Sequence, residues 1–263
     1  WRWSGDMSSW APASADPELG LVYLVTNAST VQTYAGHRPG HNLFGGSVLA
    51  LDVQTGERRW HFQIHHSDQW NYDLPTPPML MDLTVDGREI PALIQFTKQG
   101  LIFAFNRETG EPIWPIEERP VPTDTDLAGE FPSPTQPFPT KPAPFEYQGT
   151  SIDDLVDFTP EIRQMAIEAV AGRRLGPLYT PNTLRGTIMR PSITGGANWS
   201  GAAVDPDTGH LFVTSRNADS VMKYRETEPG EPATLRYVLV RDVAGPQMPR
   251  GLPLWKPPYS RVT

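Results

Sequence analysis

The chain has 263 residues, 38% of them hydrophobic and 20% charged, and carries a formal net charge of −8. That length can bury one or two cores, and the acidic balance argues against a nucleic-acid partner, because no basic face is available to neutralise phosphates. With no cysteine the chain has no disulfide and no thiolate metal site, and it is compatible with an oxidising compartment; no run approaches the ~18 apolar residues of a membrane span.

The predicted elements are strands joined by turns, as 29 prolines and 22 glycines suit. Trp10 to Gly20 ends in an Asp-Pro turn and leads into a β-rich run, Leu21 to Thr26. A strand over Gly46 to Asp52, a hairpin turn over Val53 to Glu57 and a return strand over Arg58 to Phe62 follow. Next comes His65-His66-Ser67-Asp68-Gln69-Trp70-Asn71-Tyr72-Asp73-Leu74-Pro75, a loop that mixes histidines, acids, amides and aromatics and runs into a proline cluster. By itself such a segment reads either as a loop bonded to its own backbone around Trp70 or as a seat of chemistry on a strand-fed loop. Strands over Met79 to Leu83, Ala92 to Phe96 and Leu101 to Asn106 follow, with turns at Asp86-Gly87 and Lys98-Gln99-Gly100. Glu117 to Tyr147 is a proline-rich excursion expected to run over the surface or cover a site mouth. A helix is expected after Thr159, with Pro160 at its first position and an apolar face of Ile162, Met165, Ala166, Ala169 and Val170, ending near Gly172. The chain begins at Trp1 and stops inside a strand-like run, which leads us to expect an excerpt from a longer protein.

Two internal repeats organise these strands. Ser47 to Glu57 with Trp60 recurs as Leu101 to Glu111 with Trp114, and Trp10 to Thr26 recurs as Trp199 to Thr214. Hairpins that share a turn and a tryptophan at fixed register are the signature of a β-propeller.

Several side chains are candidates for chemistry. Asn27 follows a strand and offers an amide oxygen to a hard cation such as Ca²⁺, or satisfies its own turn. Adjacent His65 and His66 point to opposite faces in an extended segment, which makes a zinc site improbable. Asp68 and Asp73 could act as general bases, or be solvated loop acids. Lys98 could hold an anionic or carbonyl oxygen, and Trp10 and Trp199 could stack a flat ligand or belong to the core. Arg38, in the Arg38-Pro39-Gly40 turn, could be a structural clamp.

Arg38-Pro39-Gly40-His41-Asn42, His65-His66 through Pro75, Thr97-Lys98-Gln99-Gly100, Trp114-Pro115-Ile116-Glu117-Glu118-Arg119-Pro120-Val121-Pro122, Ser133-Pro134-Thr135-Gln136-Pro137-Phe138 and Gly195-Gly196-Ala197-Asn198-Trp199 stand in an order that resembles the quinoprotein alcohol and sugar dehydrogenases, the glucose dehydrogenase branch above all. The resemblance implies an all-β fold, an eight-bladed β-propeller of which about half is present here. One helix and a long proline-rich loop are inserted within the single propeller domain, over residues 117–180. It implies pyrroloquinoline quinone (PQQ) and Ca²⁺ as cofactors, and a sugar, polyol or alcohol as substrate. Electrons would pass to a quinone or cytochrome, and the protein would be periplasmic, with membrane association through regions outside this chain. Trp10 falls at the tryptophan floor under the PQQ ring, with Trp199 its repeat partner. Asn27 falls on a Ca²⁺ ligand, without the usual preceding glycine. Lys98 falls on the basic residue that bonds the quinone oxygens, and Arg216 or Asn217 on a further PQQ contact. The family's catalytic aspartate, which also lies beside the metal, aligns with Asn71, and an asparagine is no general base. Asp73, two residues on, is the expected substitute because i and i+2 share a face in an extended segment, with Asp68 next. The alternative reading is a non-catalytic propeller scaffold whose site has decayed.

Overall fold

The computed structural model describes residues 7–205, 207–240 and 245–263. Pro206, inside the second repeat, lies outside the described residues.

Both sequence repeats are one turn used four times. Asp16, Asp52, Asn106 and Asp205 each close a strand. The Oδ1 atoms of the first three accept two backbone N–H groups just ahead: Glu18 and Leu19 at 3.0 and 3.1 Å, Gln54 and Thr55 at 3.0 and 2.9 Å, and Glu108 and Thr109 at 2.9 and 3.3 Å. Asp205 accepts the Asp207 N–H at 3.0 Å and the Thr208 hydroxyl at 2.7 Å. Four residues on, Gly20, Gly56, Gly110 and Gly209 take φ of 64°, 72°, 78° and 69°, a left-handed conformation that glycine adopts without steric cost.

Strands β1 (Ser14–Asp16), β2 (Leu21–Val25), β3 (Ser47–Asp52) and β4 (Arg58–Gln63) form an antiparallel meander in chain order, with a register shift between Ala50 and Leu51. Strands β5 (Met79–Val85), β6 (Arg88–Phe96) and β7 (Ile102–Asn106) form a second sheet. Successive side chains of a strand alternate between faces. In β6 and β7, Leu93, Phe103 and Phe105 meet Val48, Ala50, Trp60 and Ile64 of the first sheet region. Ala92, Ile94, Ile102 and Ala104 face the other way, toward Phe145, Ala197 and Val213. The second sheet is buried on both faces, which is why β6 and β7 read as apolar runs and not as alternating strands.

Trp60 locks the two sheets. Its Nε1 donates to Arg107 O at 3.0 Å, and a Cβ on Gly110 would lie 2.6 Å from its ring, so only glycine fits the turn beneath it. Tyr23 donates to the same carbonyl at 2.9 Å, while the Arg107 guanidinium bridges Asp16 and Asp82 at 2.7 Å each. Trp114, the repeat partner of Trp60, packs on the opposite face of the second sheet.

The third sheet takes β11 (Ala202–Asp205), β12 (His210–Arg216) and β16 (Ser260–Val262). Two-stranded pairs complete the described strands: β8 (Ile116–Pro120) with β9 (Thr135–Pro139), β10 (Thr187–Met189) with β13 (Ser220–Met222), and β14 (Tyr224–Glu226) with β15 (Tyr237–Leu239). Within the proline-rich excursion the chain forms the β8–β9 ribbon. A two-stranded ribbon has only edges, and an edge tolerates Pro120, Pro137 and Pro139.

Helix α1 (Pro160–Val170) starts as expected, with Thr159 Oγ1 accepting the Ile162 N–H at 3.2 Å. It packs Ala166 and Val170 on Leu155, Val156, Ile188, Leu254 and Trp255, while Met165 is exposed, against expectation. The helix seats on the β10–β13 pair and on loop residues around Leu155 and Trp255, with Met165 on its solvent side.

Candidate functional site

The 65–75 loop enters from β4 and is held at its first half by bonds to its own and neighbouring backbone. Asp68 accepts the Trp70 N–H at 2.9 Å on Oδ1 and the Tyr72 N–H at 2.8 Å on Oδ2. Arg38 donates to the Asp68 carbonyl, the Val31 carbonyl and Asn42, and is thus the clamp its turn suggested. Burial opposes ionisation of Asp68, but the His65 ring, with Nε2 3.7 Å away, the Trp70 N–H and Arg38 outweigh it and hold the carboxyl below the usual carboxylate range. Trp70 is buried and donates to Thr180 O at 2.8 Å. His65 turns inward to Gln99 at 3.1 Å, and His66 turns to Glu118 at 3.0 Å, so the pair points to opposite sides. Gln136 grips His66 by both backbone groups, accepting its N–H at 2.7 Å and donating to its carbonyl at 2.9 Å.

Asn71 takes φ of 61°, a left-handed conformation that asparagine and aspartate tolerate better than most residues. The segment is therefore not extended there, and Asn71 and Asp73 do not share a face. They meet through Lys98. Its Nζ donates to Asn71 O at 2.8 Å and pairs with Asp73 Oδ2 at 3.2 Å. Asp73 Oδ1 accepts the Ala28 N–H at 2.9 Å, which ties this group to the residue after Asn27. Lys98 and Asp73 are both buried. An ammonium has three donors, and among the described residues two of those of Lys98 are spent.

The end of the second sheet positions Lys98. Thr97 and Leu101 pair across the turn at 3.1 Å, and Gly195, at φ of 80°, lies so close that a Cβ there would come within 2.4 Å of Lys98 Cγ. Gly196 N donates to Lys98 O at 2.8 Å, and Arg216 N to Gly196 O at 3.0 Å. This carries the end of β12 alongside Lys98. There Arg216 is exposed and Asn217 is buried, with Nδ2 donating to Pro258 O at 3.1 Å and Oδ1 without a hydrogen-bond partner. Trp10 and Trp199 are 47% and 73% exposed, so both indoles present free surface.

Asn27 is buried. Its Oδ1 accepts the Ser8 N–H and its backbone N–H bonds Ser8 O at 2.9 Å. No three His, Asp or Glu side chains converge at metal-binding distance among the described residues. The Asn27 amide oxygen, the candidate ligand of a hard cation, is thus already taken by the Ser8 N–H, with no carboxylate cluster beside it among the described residues. Toward an anionic quinone the fit is better: Lys98 offers a buried ammonium with an unspent donor among the described residues.

What the residues before Lys98 did not announce is the cavity beside Asn71. It has a volume of about 870 Å³ and is lined by Gln32, Asn71, Tyr224 and Arg225 among others. Gln32 and Tyr224 are far apart in sequence and neither belongs to a recognisable motif.

Face-to-face antiparallel sheets, joined by repeated turns and docked by Trp60, with a buried lysine–aspartate pair at the end of one sheet, define a propeller-type domain with a polar site fed from several sheets. The model of the PQQ glucose/ethanol/alcohol dehydrogenase β-propeller domain matches residues 1–263, and the chain belongs to that family. It is 37% identical over 213 residues to the large subunit of glycerol dehydrogenase from Gluconobacter oxydans (strain 621H), covering 80% of this chain and 28% of that protein. It is 34% identical over 233 residues to quinoprotein glucose dehydrogenase from Escherichia coli (strain K12), covering 86% of this chain and 28% of that protein. A europium-containing methanol dehydrogenase shares the fold at a TM-score of 0.57 and 24% identity, over 88% of this chain and 33% of that one. The chain thus spans under a third of the length of these relatives.

Proposed function

We propose that the chain is part of a PQQ-dependent dehydrogenase that oxidises a sugar, polyol or alcohol and passes electrons to a quinone or cytochrome. The observation that carries this is the buried Lys98–Asp73 pair with an unspent ammonium donor, in a chain whose whole length matches the family. Bound PQQ would supply the acceptor for a hydride, that is, for two electrons and a proton. Lys98 would donate to the quinone oxygens, Asn217 would meet the cofactor's polar edge, and Trp10 and Trp199 would offer stacking surface. Asp73 would take the hydroxyl proton, since among the described residues it is the carboxylate in contact with Lys98 and Asp68 is spent on the loop. Asn71 cannot accept that proton, but it keeps the left-handed turn and directs its carbonyl to Lys98. Ca²⁺ belongs to this reading as a second cofactor that Asn27 and Asn71 would help to hold through amide oxygens, and it would supply a Lewis acid to the quinone. We place the protein in the periplasm, as a cysteine-free chain of this family allows.

The test is dye-linked turnover of the intact protein loaded with PQQ. Asp73→Asn should lower kcat by about 10²-fold, the scale of a lost general base, while Asn71→Ala should cost less. Full turnover in Asp73→Asn, with loss in Asn71→Ala, would overturn the assignment of the base.

A further inference from the structure

The cavity beside Asn71 has a chemistry that can be read. Its floor and one wall come from residues 31–34 and the other wall from the β14–β15 hairpin. The Tyr34 ring meets Tyr224 at a tilt, centroids 6.3 Å apart, and Tyr237 edge-on at 5.7 Å, and these contacts stiffen that wall. Two of the three hydroxyls are spent: Tyr224 bonds Thr33 O, and Tyr237 bonds the Ala128 N–H and Glu226. Val31, Ile193, Met222 and Leu239 add apolar surface.

Four polar side chains on this lining, Gln32, Thr33, Tyr34 and Asn71, make no side-chain hydrogen bond among the described residues. Two of them, Gln32 and Asn71, are amides. An amide both donates and accepts, so two of them beside an apolar wall suit a molecule with several hydroxyls on a carbon frame. The cation of the lining is already spent. Arg225 makes a two-pronged pair with Glu231, Nη1 to Oε2 at 2.8 Å and Nη2 to Oε1 at 2.7 Å, and Nη1 also donates to Glu226 O at 3.1 Å. A carboxylate entering the cavity would meet Glu231 and no free positive charge among the described lining residues.

We propose that this cavity seats the part of the substrate beyond the reacting carbon, with Gln32 as a specificity residue, and that it selects a neutral polyhydroxylated molecule over both a monohydric alcohol and a hydroxy acid. The proposal rests on the dehydrogenase reading for its link to catalysis, but not for its ligand chemistry. A ligand hydroxyl bonded to Gln32 is worth about tenfold in affinity, the upper range of a neutral hydrogen bond. A monohydric alcohol has no second hydroxyl to use it. A hydroxy acid would leave its charge unpaired on desolvation.

Two measurements on the intact protein test this. Calorimetric binding of D-glucose, of 1-propanol and of quinate to the protein without PQQ reads the cavity alone. Steady-state kinetics on PQQ-loaded protein read the link to catalysis. Gln32→Ala should weaken glucose binding about tenfold and lower the ratio of kcat/KM for glucose over 1-propanol by the same factor, through KM. Gln32→Met preserves volume and should do the same, which separates the lost bond from a collapsed wall. Glu231→Gln should release Arg225 and raise quinate binding several-fold. Equal losses for glucose and 1-propanol in both Gln32 variants would overturn the proposal, as would wild-type protein that binds quinate as tightly as glucose. If PQQ-loaded protein oxidises no alcohol while glucose binding still depends on Gln32, the dehydrogenase reading fails and the polyol site stands. If it oxidises alcohols but glucose binding ignores Gln32, the reverse holds.

Discussion

The loop from His65 to Pro75 divides at Trp70 into two parts of similar composition and opposite use. In the first part most strong groups are consumed by the protein itself: Asp68 by two N–H groups, His66 by Gln136 and Glu118, and Trp70 by the Thr180 carbonyl, with the buried Gln69 amide the exception. In the second part Tyr72 is likewise spent, on the Pro191 carbonyl, but Asn71 lines a cavity with a free amide, and Asp73, besides accepting the Ala28 N–H, pairs with a lysine that keeps one donor in reserve. Polar composition therefore does not mark a site. The destination of each hydrogen bond does, because a group already satisfied in the fold would have to lose that bond to act on a ligand.

The sharpest way to break this division is to strike Lys98. Lys98→Ala removes the cation from a buried carboxylate and from the donor set facing the proposed cofactor. PQQ-dependent turnover of the intact protein should fall by about 10³-fold, the scale for losing a preorganised donor at an electrostatic site. A loss under tenfold would put Lys98 with the structural half of the loop.

Asp68→Asn probes the other half and should act on stability. One carboxylate oxygen becomes an NH₂ that faces an N–H donor, and Arg38 loses its nearby charge. We expect a cost of about 3 kcal/mol, the low end for breaking a buried charged contact, read from the denaturation midpoint. The wild type has a matching acid sensitivity. Its Asp68 carboxyl sits below its unfolded value in the folded state, so its contribution is complete above about pH 4, the usual carboxylate range, and is lost as pH falls through the lower folded value. Asp68→Asn should flatten that acid limb. An unchanged limb would mean that the loop does not depend on this charge.

The packing side of the molecule was legible because its cause is local. An acid or asparagine closing a strand, with glycine four residues on, dictates an Asx turn wherever it occurs, and Asp16, Asp52, Asn106 and Asp205 all form one. Thr159 and Pro160 started a helix by the same local logic. The β8–β9 ribbon was hidden because its prolines argue against a strand, and only the absence of an inner neighbour makes them tolerable. Met165 was misjudged because periodicity marks an apolar stripe but not which of its residues the fold covers. At the site, Lys98 and Asp73 stood out by residue type, but their contact depends on the left-handed turn at Asn71, which defeats the shared-face argument for Asn71 and Asp73. The cavity combines residues 31–34 with 224–240, whose proximity follows only from the packing of distant sheets.

The mildest test separates anchoring of the loop from its chemistry. Gln136 lies on β9, in the proline-rich excursion, and bonds both backbone groups of His66 while its side chain is fully buried. Gln136→Ala leaves a buried N–H and a buried C=O unpaired at the start of the loop, which should cost about 2 kcal/mol. Because His66 lies in the spent half, the loss should appear in the denaturation midpoint and in amide exchange of residues 65–70. The affinity for glucose, set by Gln32 and Asn71, should move less than threefold. A glucose affinity that falls as far as it does in Gln32→Ala would show that the two halves move as one body, and the division at Trp70 would then describe hydrogen bonding but not function.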